Sequence, residues 1–199
     1  MHPRPPLQQE LFGTPAPRLP PGMRYEEEVL DLDEEAHWLQ VVAGLPLHEM
    51  RYKQYTARRR GASFGGSYDF DANRLDPAEP LPAALQPLRD RVAAWAGLPP
   101  DRFVHALAAE YRPGTPLGWH RDVPDFEDIV GVSLGAPAVM RFRPWPHEPG
   151  RRASVLKLEV APRSVYLLRG ESRWDWQHSV APTQALRYSV TFRTARSGG

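Results

Sequence analysis

The chain has 199 residues, enough for one domain with a substantial core but cramped for two. It contains no cysteine, so disulfides, thiolate metal sites and a cysteine nucleophile are excluded, and any metal must rest on His and carboxylate. The formal net charge of +1 does not announce a nucleic-acid binder, no apolar run reaches the roughly 18 residues of a membrane span, and "MHPRPPLQQELFG" lacks a signal-peptide pattern; a soluble, monomeric, cytoplasmic protein is expected.

Residues 1 to 22 hold seven prolines and few large apolar groups, and are read as a mobile arm ahead of a single domain at 23–199. Acidic residues crowd positions 26 to 35. From Asp33, "DEEAHWLQVVAGLPL" predicts a helix that opens on a capping residue, turns Trp38, Leu39, Val41 and Val42 to one side and stops at Gly44. The stretch "RYKQYTARRRG" interleaves Arg51, Lys53, Arg58, Arg59 and Arg60 with Tyr52 and Tyr55. It suits phosphate, or simply reflects a chain with 23 Arg and two Lys. Gly65-Gly66 suggests a hairpin turn. A second helix is predicted by the +3, +4, +3 spacing of Leu85, Leu88, Val92 and Trp95, starting near Pro87 and ended by Gly97 and Pro99.

After residue 100 the pattern changes to period-two alternation punctuated by Pro and Gly. Strands are expected at 103–111, 117–122, 129–134, 138–143, 154–160, 164–168, 176–180 and 185–193, and strands this short and close point to a sandwich or barrel, with a jelly roll a natural solution. In "ALRYSVTFR", Leu186, Tyr188, Val190 and Phe192 form an apolar face. The opposite face, Arg187, Ser189, Thr191 and Arg193, is either ordinary solvent surface or the wall of a site.

His120 and Asp122, in "GWHRDVPDF", are i and i+2, so on a strand both point to one side and can share an ion. Two histidines and one carboxylate on one face suit iron(II) with positions left open. His2, His37, His48 and His147 fall in surface contexts and His105 on an apolar strand. His178, in "GESRWDWQHSVAP", is the remaining candidate for the third ligand.

With "EYRPGTPLGWHRD", "GESRWDWQHSV" and "LRYSVTFR" in this order, the chain resembles the AlkB family of iron(II)- and 2-oxoglutarate-dependent dioxygenases over roughly residues 50 to 194. The resemblance implies an α+β, mainly β fold: a double-stranded β-helix (jelly roll) core at 101–194, with N-terminal helices and a substrate lid at 23–100 packed on it. It implies that His120, Asp122 and His178 bind iron and form the catalytic centre. It assigns Tyr111, Arg187, Ser189 and Arg193 to 2-oxoglutarate, Arg187 as the distal-carboxylate anchor and Arg193 behind it, since guanidinium forks match planar carboxylates. Dioxygen is the second cosubstrate. The implied reaction hydroxylates a C–H bond, and on an N-alkyl base the product collapses to aldehyde and repaired base.

Alkylated DNA or RNA is the implied substrate, gripped by a lid resembling "RRRGASFGGSYDFD". There Phe64, Tyr68 and Phe70 stack on or wall a flipped base, Arg58 to Arg60 meet phosphates, and Arg173 lines the pocket. Trp119 faces opposite to His120 on a regular strand. The chain departs from its relatives at Ala109 and Ser189, where they often carry Asn, and at Pro124, where DNA-repair members carry an acid that helps recognise the methylated base. Two other readings are the same chemistry on a protein side chain or small molecule, and a non-catalytic jelly-roll binding module.

Overall fold

A computed structural model describes residues 17–52, 55–69, 74–76, 79–146 and 155–196. In chain order the elements are β1 (Arg24–Glu26), α1 (Leu32–Ala43), β2 (His48–Tyr52), β3 (Tyr55–Phe64), β4 (Ser67–Asp69), β5 (Arg74–Asp76), α2 (Gln86–Ala96), β6 (Phe103–Tyr111), β7 (Leu117–His120), β8 (Phe126–Gly135), β9 (Ala138–Pro144), β10 (Leu156–Val160), β11 (Val165–Leu168), α3 (Glu171–Trp174), β12 (Trp176–Val180) and β13 (Arg187–Ala195). No helix among the described residues is long and apolar enough to cross a membrane.

The strands build the two facing sheets of a jelly roll. A seven-stranded sheet runs β1-β11-β8-β13-β6-β3-β2 and a four-stranded sheet runs β10-β9-β12-β7, every pairing antiparallel. The larger sheet is covered on one side by α1 and α2, whose Trp38, Val42, Leu88 and Val92 pack with Ala106, Ala108, Val130, Val132, Val190 and Phe192. Its other side meets the smaller sheet through Phe126, Ile129, Met140, Phe142, Leu168 and Val180.

Several local expectations change. Helix α1 is capped by Asp31, not Asp33: the Glu34 amide donates to Asp31 Oδ1 at 2.7 Å, and the Asp31 amide donates to Glu34 Oε2 at 2.9 Å. This capping box satisfies two orphan donors that a cap at Asp33 would leave open. Gly65-Gly66 does not close a hairpin, because β3 pairs with β2 and β6 while β4 pairs with β5. Gly65 (φ +80°) instead lets the chain brush β6, since a Cβ there would lie 2.1 Å from the Val104 carbonyl oxygen. Residues 23–100 therefore supply three strands of the larger sheet as well as helices. Residues 17–22, read above as the end of a mobile arm, are anchored: Leu19 packs into the inter-sheet core and the Ser172 amide donates to the Pro21 carbonyl at 2.8 Å. The rest of that arm lies outside the described residues.

The polar face of β13 is not solvent surface. Every residue from Arg187 to Thr194 is buried, the apolar row against the helices and the polar row between the sheets. Leu186, assigned above to the apolar row, precedes the strand and is 45% exposed. Burying two guanidiniums inside a sandwich is costly unless partners or a ligand compensate them, so this row marks the interior as a site.

Candidate active site

The metal-ligand candidates converge through the pairing of β7 with β12, which sets His120 opposite His178 with ring centroids 4.2 Å apart. Asp122 is not on the strand, which ends at His120; the irregular segment that follows brings its Oδ2 to 3.7 Å from His178 Nε2. One donor atom from each of the three residues lies within 4.8 Å of the others. His120 Nδ1–H donates to the Gly118 carbonyl at 2.9 Å, which fixes the tautomer and leaves Nε2 bare for a metal.

Protonation suits the same role. Burial pushes the His178 imidazole down to about 3, helped by the neighbouring His120, and burial lowers His120 as well. Burial alone would raise Asp122, but Arg193, His178 and His120 hold its carboxyl well below the usual range. Two neutral imidazoles and a carboxylate are the form a divalent ion requires, so the donor set fits iron(II).

Arg193 works on Asp122. Its Nε and Nη2 donate to Asp122 Oδ1 at 2.9 and 2.7 Å, while Nη1 donates to Thr191 Oγ1 at 2.9 Å and reaches His105 Nδ1 at 3.3 Å. All three nitrogens are thus engaged, and Oδ2 is left toward His178. This places Arg193 in a second layer behind the metal candidates, in keeping with its expected position behind Arg187. His105, buried as expected, is pushed down to about 3, first by burial and then by the Arg193 charge.

Arg187 is different. It is 2% exposed, donates from Nε to Ser133 Oγ at 3.0 Å and lies 5.0 Å from the Tyr111 ring centroid, and no carboxylate among the described residues pairs with it. A buried guanidinium whose Nη groups donate to no protein group among the described residues, set beside a phenol, fits the carboxylate of a diacid. Ser189, also buried, neighbours Ser133 and Ala109 across the sheet. The Tyr111 hydroxyl accepts from Arg59 Nη1 at 3.4 Å, and Arg59 Nε is buried without a partner among the described residues. Arg59 therefore turns inward to the pocket rather than outward to phosphates. Arg60 donates to Glu110 and the Leu47 carbonyl, and the Arg58 side chain lies outside the described residues.

Two pocket residues escaped the sequence reading besides Arg59. Ser133 and Tyr166 both belong to the wall, and Tyr166 lies so close over Gly131 that a Cβ there would sit 2.1 Å from its ring. A glycine inside the apolar run "IVGVSL" was the available signal of such a close approach.

The expected substrate residues fare less well. Phe64 is buried with the helix-side core, not over the metal candidates, because its register opposite Ala106 turns it to α2. Arg173 is 2% exposed and donates from Nη2 to the carbonyls of Val123 and Phe126 at 2.7 and 2.8 Å, so it ties down the turn after Asp122 instead of presenting itself to substrate. The Tyr68 side chain and Phe70 lie outside the described residues.

The buried neutral histidines predict acid sensitivity. His105 and His178 charge near 6.5 when unfolded but only near 3 when folded, so below about pH 6.5 the unfolded chain binds more protons and stability falls with pH. The metal-free protein should lose about 2 kcal/mol or slightly more per pH unit between roughly pH 6 and 4 from these two groups. Urea midpoints across that range check it, and a flat profile would mean the imidazoles are not buried neutral.

Comparison with known proteins agrees with this geometry. The 2OG-Fe(II) oxygenase superfamily pattern matches residues 24–193. Alpha-ketoglutarate-dependent dioxygenase AlkB of Escherichia coli (strain K12) is 32% identical over 152 residues, covering 71% of this chain and 67% of AlkB. Human DNA oxidative demethylase ALKBH2 is 28% identical, with coverage of 71% and 58%. Mouse tRNA (carboxymethyluridine(34)-5-O)-methyltransferase ALKBH8 is 28% identical over 82% of this chain, which spans only 25% of that protein's length. Among solved structures, OsALKBH1 matches with a TM-score of 0.65 at 18% identity, covering 89% of this chain and 100% of that one. The chain belongs to the AlkB family within the iron(II)- and 2-oxoglutarate-dependent oxygenases. It is a dioxygenase that uses iron(II) as cofactor and 2-oxoglutarate and dioxygen as cosubstrates.

Proposed function

We propose that this dioxygenase removes alkyl groups oxidatively from nucleic-acid bases, with His120, Asp122 and His178 as iron ligands and Arg187, Tyr111 and Ser189 holding 2-oxoglutarate. The observation that carries the assignment is the buried polar face of β13, which serves both ends of one pocket. Arg193 orients Asp122 at one end, and at the other Arg187 stands beside Tyr111 with Nη groups that donate to no protein group among the described residues. Bound iron with its two cosubstrates supplies the oxidising chemistry, while the protein supplies position and a dry wall. Arg173 holds the turn that follows Asp122, and the Gly118 carbonyl holds the His120 ring.

Nucleic acid as substrate draws support from ALKBH2 and ALKBH8, named for DNA and tRNA activities. Formaldehyde release from methylated single-stranded DNA, double-stranded DNA, RNA and histone-like peptides tests it. Release from a nucleic acid is expected; release from peptides alone defeats it. The same chemistry on a protein side chain or small molecule is the second reading, favoured by Pro124 at an exposed position and by Phe64 facing away from the pocket. Family membership sets aside a purely non-catalytic module.

A further inference from the structure

The outer face of the four-stranded sheet carries an arrangement the catalytic pocket does not use. On β9, Ala138, Met140 and Phe142 point into the core, so Arg141 and Arg143 point outward. Both guanidiniums lie against Trp119, at 5.3 and 4.4 Å from its ring centroid, and each is held by its Nε: Arg141 donates to Ser179 Oγ at 3.0 Å and Arg143 to Gln177 Oε1 at 2.8 Å. Pinning Nε and the guanidinium plane leaves the Nη edges presented outward with little rotamer freedom left to lose. Lys157 extends the row on β10, opposite Arg141. At the rim, exposed Arg121, which sits between His120 and Asp122, lies 5.0 Å from the ring of Trp145, itself 40% exposed.

Charge makes this face distinctive. The whole chain is nearly neutral, yet the strands of this face carry Arg141, Arg143 and Lys157 outward against one outward carboxylate, Glu159, with Arg121 and the exposed Asp175 at the rim, while the acids Asp33, Glu34 and Glu35 lie on α1 behind the other sheet. From β10 to β7 the row crosses three strand spacings, about 14 Å, the reach of about four stacked nucleotides.

We propose that this Trp119–Arg141–Arg143 face, continued by Lys157 and by Arg121 with Trp145, is a track for the phosphodiester backbone of single-stranded nucleic acid flanking the target base. The inference extends the nucleic-acid reading above, but binding of unmodified strand tests it separately. Phosphates meet the forks, and the exposed Trp145 ring offers a base a stacking surface.

The experiment measures fluorescence anisotropy of labelled oligo-dT and oligo-U, without alkyl groups, from 0.05 to 1 M salt. Arg141→Gln/Arg143→Gln should reduce the slope of log affinity against log salt by about 1.4, which is roughly 25-fold weaker binding at 0.1 M for proteins matched at 1 M. Lys157→Gln, on the far strand, should reduce it by about 0.7 and carries the test if the double variant melts early. Unchanged slopes overturn the proposal, as does poly-glutamate that competes as well per charge, which would make the occupant an acidic peptide. Lost binding in the variants, from a wild type that releases no formaldehyde from any nucleic acid, keeps the track and defeats the demethylase reading. Demethylation with unchanged variant binding does the reverse.

Discussion

Asp122→Ala should eliminate 2-oxoglutarate turnover and also destabilise the metal-free protein by about 3–5 kcal/mol, because it strands a buried guanidinium. Arg193 is 8% exposed and places two hydrogen bonds on Asp122 Oδ1, with the Arg173 charge close by. Asp122→Asn retains an acceptor for Arg193 and should recover part of that stability while still failing to hold iron. Urea titration of the chelated proteins reads the first effect. The metal-to-ligand charge-transfer band formed anaerobically with iron(II) and 2-oxoglutarate reads the second. Survival of the band in Asp122→Ala would sink the ligand assignment, and a metal-free variant as stable as wild type would mean the ion pair contributes little.

Arg187→Ala acts at the other end of the pocket. Losing a buried, charge-assisted fork to a carboxylate costs about 2–5 kcal/mol, so the 2-oxoglutarate requirement should rise between roughly 30-fold and several thousand-fold. Arg187→Lys should fall between the two, because an ammonium keeps the charge but not the planar fork. Titration of the same anaerobic band measures cosubstrate affinity without relying on turnover. Equal affinity in wild type and Arg187→Ala would leave the diacid without its anchor and require another residue in that role.

The jelly roll was legible because its strands carry an alternation that water and core impose alternately. β6 and β12 fall where the pattern put them, at Phe103–Tyr111 and Trp176–Val180. Legibility failed where position depends on a partner strand rather than on the chain's own pattern. Phe64 reads equally well as a lid aromatic or a core residue; only its register opposite Ala106 decides. Asp122 was expected on a strand with His120, yet an irregular segment carries it, and the two meet because Arg193 holds its carboxylate and Arg173 the turn that follows. Ser133 and Arg59 join the pocket through β8 and β3, which no local motif connects to "GWHRD". The strands at 24–26, 48–52 and 55–64 had no clean alternation to betray them, since Arg and Tyr occur on both phases there.

Strand β13 has a consequence for how this protein can change. Strands of a sandwich commonly keep one side toward water, where substitutions are cheap and sequence drifts. From Arg187 to Thr194 there is no such side: the even-numbered residues Tyr188, Val190 and Phe192 seat the helices, and the odd-numbered Arg187 and Arg193 serve the two ends of the pocket. A one-residue insertion would exchange the two sets, putting guanidiniums under the helices and aromatic rings over the metal candidates. This segment has no neutral neighbours in sequence space, so variation that alters what the protein accepts must enter through the loops and the outer surface.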